Sequence, residues 1–196
     1  MKGIPTEVRA MITRRDLLAV GVAAALAGCS GGGTPTVESP GGLSVTSSAF
    51  EEGGQIPPEY TGDGADRSPP LDIDGVPEGA VSLALLVDDP DAPGGTFVHW
   101  LLWNLPPDRT TLPAGVPQRE RLPAFGDVRQ GTNGFDEIGY RGPRPPSGDG
   151  PHTYRFTVYA VDEQLELSAG ARRRKLDAAL AGSVVASGRL TGEYER

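Results

Sequence analysis

This 196-residue chain contains two histidines, and each stands where a rigid loop runs into an apolar stretch. His99 lies in "DDPDAPGGTFVHWLLWNLP" (residues 88–106), downstream of Asp89 and the turn that Pro90 begins. His152 lies in "RGPRPPSGDGPHTY" (141–154), just ahead of Tyr154 and behind Pro145 and Pro146. Proline removes a backbone donor and fixes φ, so both loops are stiff. Stiff loops that deliver polar groups to strand ends suit a small pocket formed before its ligand arrives.

The residue types point to anion chemistry. Imidazole N–H groups, the Tyr154 hydroxyl and loop backbone N–H groups can hold a phosphate or another oxyanion. Asp89 would repel that anion. It could instead orient a histidine, or receive the cation of a zwitterionic ligand. A carboxylate so near is expected to raise the histidine pKa. Zinc has weak support, because no His-x-x-x-His pair is present. A serine hydrolase has little, because there is no Gly-x-Ser-x-Gly elbow. A hydrolase using His99 or His152 as general base stays open as the alternative.

The elements that must position these groups read mostly as strands. Residues 81–89 and 97–105 are apolar runs of strand length, the first buried on both faces. Residues 152–162 alternate, which puts His152 and Tyr154 on one face. The same rule puts His99 on a face with Phe97, Leu101 and Trp103. "LSVTSSAF" from Leu43 reads as an edge strand, and the Pro-rich stretch after it as a long irregular loop. One helix is expected, capped by Ser168 and running through "ARRRKLDAALAGSVVASG", with a break at Gly182 and a stop at Gly188. The expected class is mainly β, two packed sheets with a short helical tail.

Composition bounds the rest. A chain that is 37% hydrophobic and 22% charged, with 28 Gly and 19 Pro, suits one loop-rich globular domain. A net charge of −8 argues against nucleic acid, whose phosphates need clustered Lys and Arg. Lys is nearly absent while Arg is common, a bias that both a high-salt habitat and GC-rich coding produce. Arg14-Arg15 followed by the apolar run Leu17–Ala27 resembles a twin-arginine export signal. That run ends in Leu26-Ala27-Gly28-Cys29, which resembles a lipoprotein box and makes Cys29 the expected lipidation site. Residues 1–29 are therefore expected to be a signal peptide, with Met1 or Met11 as its start. Residues 30–42, rich in Gly, Ser, Thr and Pro, read as a flexible tether that would hold residues 43–196 about 20 Å from a membrane.

The motifs also carry a resemblance over residues 43–196. "DPDAP" (89–93) with "HWLLWNLP" (99–106), and "GYRGPRPPSGDGPHTYRFTVYAVD" (139–162), resemble the conserved blocks of the phosphatidylethanolamine-binding protein family, in its bacterial and archaeal Raf-kinase-inhibitor-like branch. The resemblance implies a large antiparallel sheet packed on a smaller one, with short C-terminal helices. It implies a ligand pocket at Asp89, His99, Pro145, Pro146, His152 and Tyr154 for phosphate-like or phospholipid headgroups. It also implies no settled enzymatic activity and, for some members, the regulation or inhibition of a partner protein; no cofactor and no metal are expected. The chain departs from the pattern at Gly182-Ser183, where similar proteins often carry Gly-His. That departure puts in doubt any role of the tail over the pocket. The partners expected are thus a small anionic or phosphorylated ligand and, through a lipid anchor, the outer face of the cell membrane. A homodimer stays open.

Overall fold

The computed structural model describes residues 42–196; the signal, Cys29 and almost all of the tether lie outside the described residues. In chain order the strands are β1 (Ser44–Thr46), β2 (Gly54–Gln55), β3 (Leu71–Asp74), β4 (Ser82–Asp89), β5 (Phe97–Leu105), β6 (Thr111–Leu112), β7 (Arg121–Leu122), β8 (Val128–Gln130), β9 (His152–Val161) and β10 (Val184–Tyr194). The α-helix, α1, spans Arg173–Leu180, and short 3-10 turns occupy Pro58–Tyr60 and Pro123–Phe125. Among the described residues no helix is long and apolar enough to cross a membrane.

Two sheets form. The larger has the order β2-β10-β9-β4-β5-β8-β7 and the smaller β1-β3-β6. All pairings are antiparallel except that of β2 with β10. β4 is buried along its whole length because both faces of the large sheet are covered. Leu83, Leu85 and Val87 point into the main core, with Phe156 and Val158 of β9 and Leu71 and Ile73 of the small sheet. Ala84 and Leu86 point the other way, into a second core closed by Leu165, Leu167, Leu176 and Leu180. The mainly β, two-sheet class expected from the sequence is the fold found.

The C-terminal region departs from expectation. Ser168 does not cap the helix; Arg172 occupies the N-cap position without a side-chain bond, and α1 ends at Leu180. Residues 184–194 form β10 instead, paired with β9 from Val184↔Val161 to Tyr194↔His152. Its inward positions, Ala186, Gly188, Leu190, Gly192 and Tyr194, alternate correctly, but two of the five are glycine. Their lack of a side chain is what admits the neighbouring layer. A Cβ on Gly188 would stand 2.5 Å from the Leu43 carbonyl oxygen, and one on Gly192 would stand 2.7 Å from both Phe50 and Ile56. Gly188 is thus a mid-strand contact point, not a helix stop. Gly182-Ser183 sits just before Val184, at the end of the β9–β10 pair away from His152, so the departure from Gly-His falls far from the pocket along the sheet.

Candidate functional site

β4 ends at Asp89 and β9 begins at His152, and the two side chains meet there. His152 Nδ1 donates to Asp89 Oδ2 at 2.8 Å, with both side chains almost wholly buried. The other carboxylate oxygen, Oδ1, accepts the Asp91 backbone N–H at 2.8 Å. Asp91 in turn accepts the Thr153 N–H at 2.9 Å, which pins the Pro90 turn onto β9. Asp89 therefore orients a histidine and fixes its own turn. Its neighbour Asp88 faces the opposite side, where Arg155 grips it at 2.7 and 2.9 Å and Arg173 of α1 at 2.5 Å. Adjacent acids on opposite faces serve separate ends.

His99 reaches the same place by a different route from the one expected. Leu101 and Trp103 belong to the second core, whereas Trp100 and Leu102 belong to the first. Simple alternation from Leu101 would point His99 away from Tyr154. The β4–β5 register skips it: Val87 pairs with Trp100 and Asp88 with Val98. This β-bulge leaves His99 unpaired on its strand and turns its ring onto the Tyr154 side, with the ring centroids 5.2 Å apart. Phe97 shares that side, 5.4 Å from the His99 ring. The expected grouping with Phe97 holds; the one with Leu101 and Trp103 does not.

The loop before β9 supplies the opposite wall. Arg141 and His99 are joined twice: the Arg141 N–H donates to the His99 carbonyl at 3.0 Å, and His99 Nδ1 lies 2.7 Å from the Arg141 carbonyl. The long loop between β2 and β3 props up the following residues. Gly62 N–H donates to the Pro143 carbonyl at 2.8 Å, Gly142 N–H to Asp66 at 2.6 Å, and the Tyr140 hydroxyl to the Tyr60 carbonyl at 2.6 Å. A Cβ on Gly142 would lie 2.4 Å from the Tyr60 carbonyl oxygen, so backbone must pass against backbone there.

Asp89, His99, Pro145, Pro146, His152 and Tyr154 all line one cavity of about 270 Å3. The sequence reading missed Phe135 and Arg144. Phe135 forms an aromatic lip, 4.8 Å from the Phe97 ring and 5.7 Å from His99. Asn133 holds that lip by accepting the Phe135 and Glu137 N–H groups and donating to the Gly139 carbonyl. Arg144 stands at the rim, largely exposed, with Asp63 3.9 Å away. It lay within the quoted Pro-rich motif, and its charge was the available signal. Phe135 gave none, because its loop has no period.

The titrating groups split. Burial alone would lower the His152 pKa, but the hydrogen bond and charge of Asp89, helped by Asp149, outweigh it and hold the pKa above the usual 6.5. For His99 burial wins over the Arg141 carbonyl and the more distant acids, so its pKa falls below 6.5, against expectation. Burial pushes the Tyr154 hydroxyl well above the usual range, as does the nearby Asp89 charge, so it stays a neutral donor. That hydroxyl is buried beside the Asp89 carboxylate, and among the described residues it has no hydrogen bond of good geometry.

The two histidines should therefore titrate on opposite sides of about pH 6.5, the ordinary value. NMR of the imidazole protons in wild type and in His152→Gln would separate them: the signal lost in the variant should be the one that titrates higher. Stability follows with opposite signs. His152 contributes stability below about pH 6.5 that disappears as pH rises through its raised pKa. His99 contributes stability at higher pH that disappears as pH falls from about 6.5 through its lowered pKa. Titration of both on the same side of 6.5 contradicts the geometry.

Comparison with known proteins agrees with this picture. A family model described as "Phosphatidylethanolamine-binding protein" matches residues 46–195. A UPF0098 protein of Pyrococcus horikoshii is 43% identical over 202 residues, covering 95% of this chain and 99% of its own. A Mycobacterium tuberculosis protein whose name carries the word lipoprotein, LppC, is 35% identical, covering 93% and 96%. The crystal structure of Escherichia coli YbcL, titled as a member of the mammalian PEBP family, superposes with a TM-score of 0.74 at 33% identity, over 79% of this chain and 98% of that one. A Chlamydia trachomatis PEBP homologue gives 0.71 at 37% identity, over 79% and 97%. With the two-sheet fold and the matched residues together, this chain belongs to the phosphatidylethanolamine-binding protein family.

Proposed function

We propose that the domain is a binding module for a small anionic or phosphorylated ligand, tethered to the membrane by a lipid on Cys29. The observation that carries the reading is the Tyr154 hydroxyl. It is a buried donor on the wall of a preformed cavity, close to the Asp89 carboxylate but without a hydrogen bond of good geometry to any described residue. Leaving such a group unpaired costs about 1–3 kcal/mol, which a ligand oxygen would recover. His152 adds a second donor, Nε2, which a ligand would share with the Asp149 carboxylate 3.6 Å away; the ring is more often cationic at neutral pH than a free imidazole because Asp89 holds its other nitrogen. Arg144 adds positive charge at the rim. A cavity of about 270 Å3 suits a headgroup-sized ligand.

The hydrolase alternative has weaker support. Among the described residues no Ser, Thr or Cys lines the cavity, so a water would have to be the nucleophile. Of the two histidines, His152 is biased toward its protonated form, which leaves only His99 as base.

Calorimetric titration with inorganic phosphate at pH 7 tests the binding reading. Asp89→Asn should weaken affinity by about tenfold, because His152 loses the charge that raises its pKa and so donates less often as a cation. Tighter binding would show that Asp89 acts only by repelling the anion, and unchanged binding that it is merely a turn residue. For the tether, the support is the Leu26–Cys29 box and the lipoprotein name of the mycobacterial relative. Mass spectrometry of the native protein should find a mature N-terminus at a lipidated Cys29. An unmodified Cys29 in exported protein would sink that part.

A further inference from the structure

The pocket floor offers hydrogen-bond acceptors as well as donors, and this limits which oxyanions it can hold. A backbone carbonyl only accepts, so His99 Nδ1, 2.7 Å from the Arg141 carbonyl, must carry a proton. The reciprocal bond from the Arg141 N–H to the His99 carbonyl keeps the pair in register. In the neutral ring the other nitrogen, Nε2, then bears a lone pair. It makes no hydrogen bond to any described residue. The ring is 3% exposed and packed among Phe97, Phe135 and Tyr154. Asp89 lines the same cavity as a carboxylate, its oxygens accepting from His152 and Asp91. A group seated here meets donors at Tyr154 and His152 and acceptors at His99 and Asp89.

Sulfate and phosphodiesters carry no proton at neutral pH. Against His99 Nε2 they set lone pair against lone pair. Monohydrogen phosphate has the same charge as sulfate and keeps one P–O–H. A phosphomonoester monoanion does likewise near its second pKa of about 6. We propose that the pocket selects oxyanions that retain an acidic proton, inorganic phosphate and phosphomonoesters, over sulfate and phosphodiesters, with His99 Nε2 accepting the hydrogen bond of that proton. The selectivity rests on the oxyanion-binding reading above. It also means that the diester headgroup of an intact phospholipid is a poor fit to the floor, whereas a phosphomonoester headgroup is a good one.

Calorimetry on the full-length protein in detergent, at pH 7.5 and constant ionic strength, compares inorganic phosphate with sulfate. Phosphate should bind at least about tenfold more tightly, the scale of one mismatched hydrogen bond in a buried site. His99→Ala should bring the ratio of the two affinities close to one. Tyr154→Phe, which removes a donor, should weaken both anions and keep the ratio. On wild-type protein at pH 6, methyl phosphate should outbind dimethyl phosphate, an arm that does not depend on any variant folding. Equal binding of phosphate and sulfate by the wild type, or a ratio that survives His99→Ala, overturns the selectivity while leaving oxyanion binding in place. Failure of the wild type to bind either anion overturns the oxyanion reading and the selectivity with it.

Discussion

The buried hydrogen bond between Asp89 and His152 is the contact on which the site depends. It joins the last residue of β4 to the first residue of β9, neighbouring strands at the centre of the large sheet. Burying either partner alone would be costly, since an unpaired carboxylate or imidazolium loses its hydration without return. Together they satisfy one another, and the Asp91 and Thr153 backbone groups close the circuit around the turn. Two separate stiff loops thereby become one wall with fixed donor directions. The rigid prolines around Asp89 follow from this: a carboxylate that must meet a partner across the strand end cannot sit on a mobile turn.

The same contact separates the roles of the two histidines. His152 faces a carboxylate and is biased toward the cation; His99 faces a carbonyl and is biased toward the neutral ring. Identical side chains in one cavity thus present opposite hydrogen-bonding characters. The difference comes from burial, which lowers the His99 pKa despite its Arg141 carbonyl, and from the Asp89 carboxylate, which raises that of His152; the backbone path sets both, through the β5 bulge for His99 and the start of β9 for His152.

Much of this was legible in the sequence. Long apolar runs mark β4 and β5, and alternation over its first half marks β9, because in those strands burial dictates residue type. Asp89, His99, His152 and Tyr154 stood out by chemistry and by their rigid surroundings, and the family resemblance added Pro145 and Pro146. Where reading failed, the cause was physical. β10 hides because two of its inward positions are glycines that admit Leu43, Phe50 and Ile56, so packing there leaves no apolar signature. The Arg-rich segment ahead of it made the whole region look helical, yet only Arg173–Leu180 forms α1. The bulge at His99 is a property of strand pairing, and a single strand's pattern cannot record it. His99 was placed in the site for a face it does not share with Leu101 and Trp103. Phe135 owes its place to Asn133 and to its neighbours across the lip, partners that local sequence does not name.

The central claim is that Asp89 holds His152 so that it and Tyr154 donate together to one oxyanion. A crystal structure of the protein grown with inorganic phosphate tests it most directly. The account predicts tetrahedral density in the cavity, within hydrogen-bond distance of both His152 Nε2 and the Tyr154 hydroxyl, with the Asp89–His152 bond intact. Phosphate bound elsewhere with this cavity holding only water, or a His152 ring turned away from Asp89 in the bound state, would contradict it.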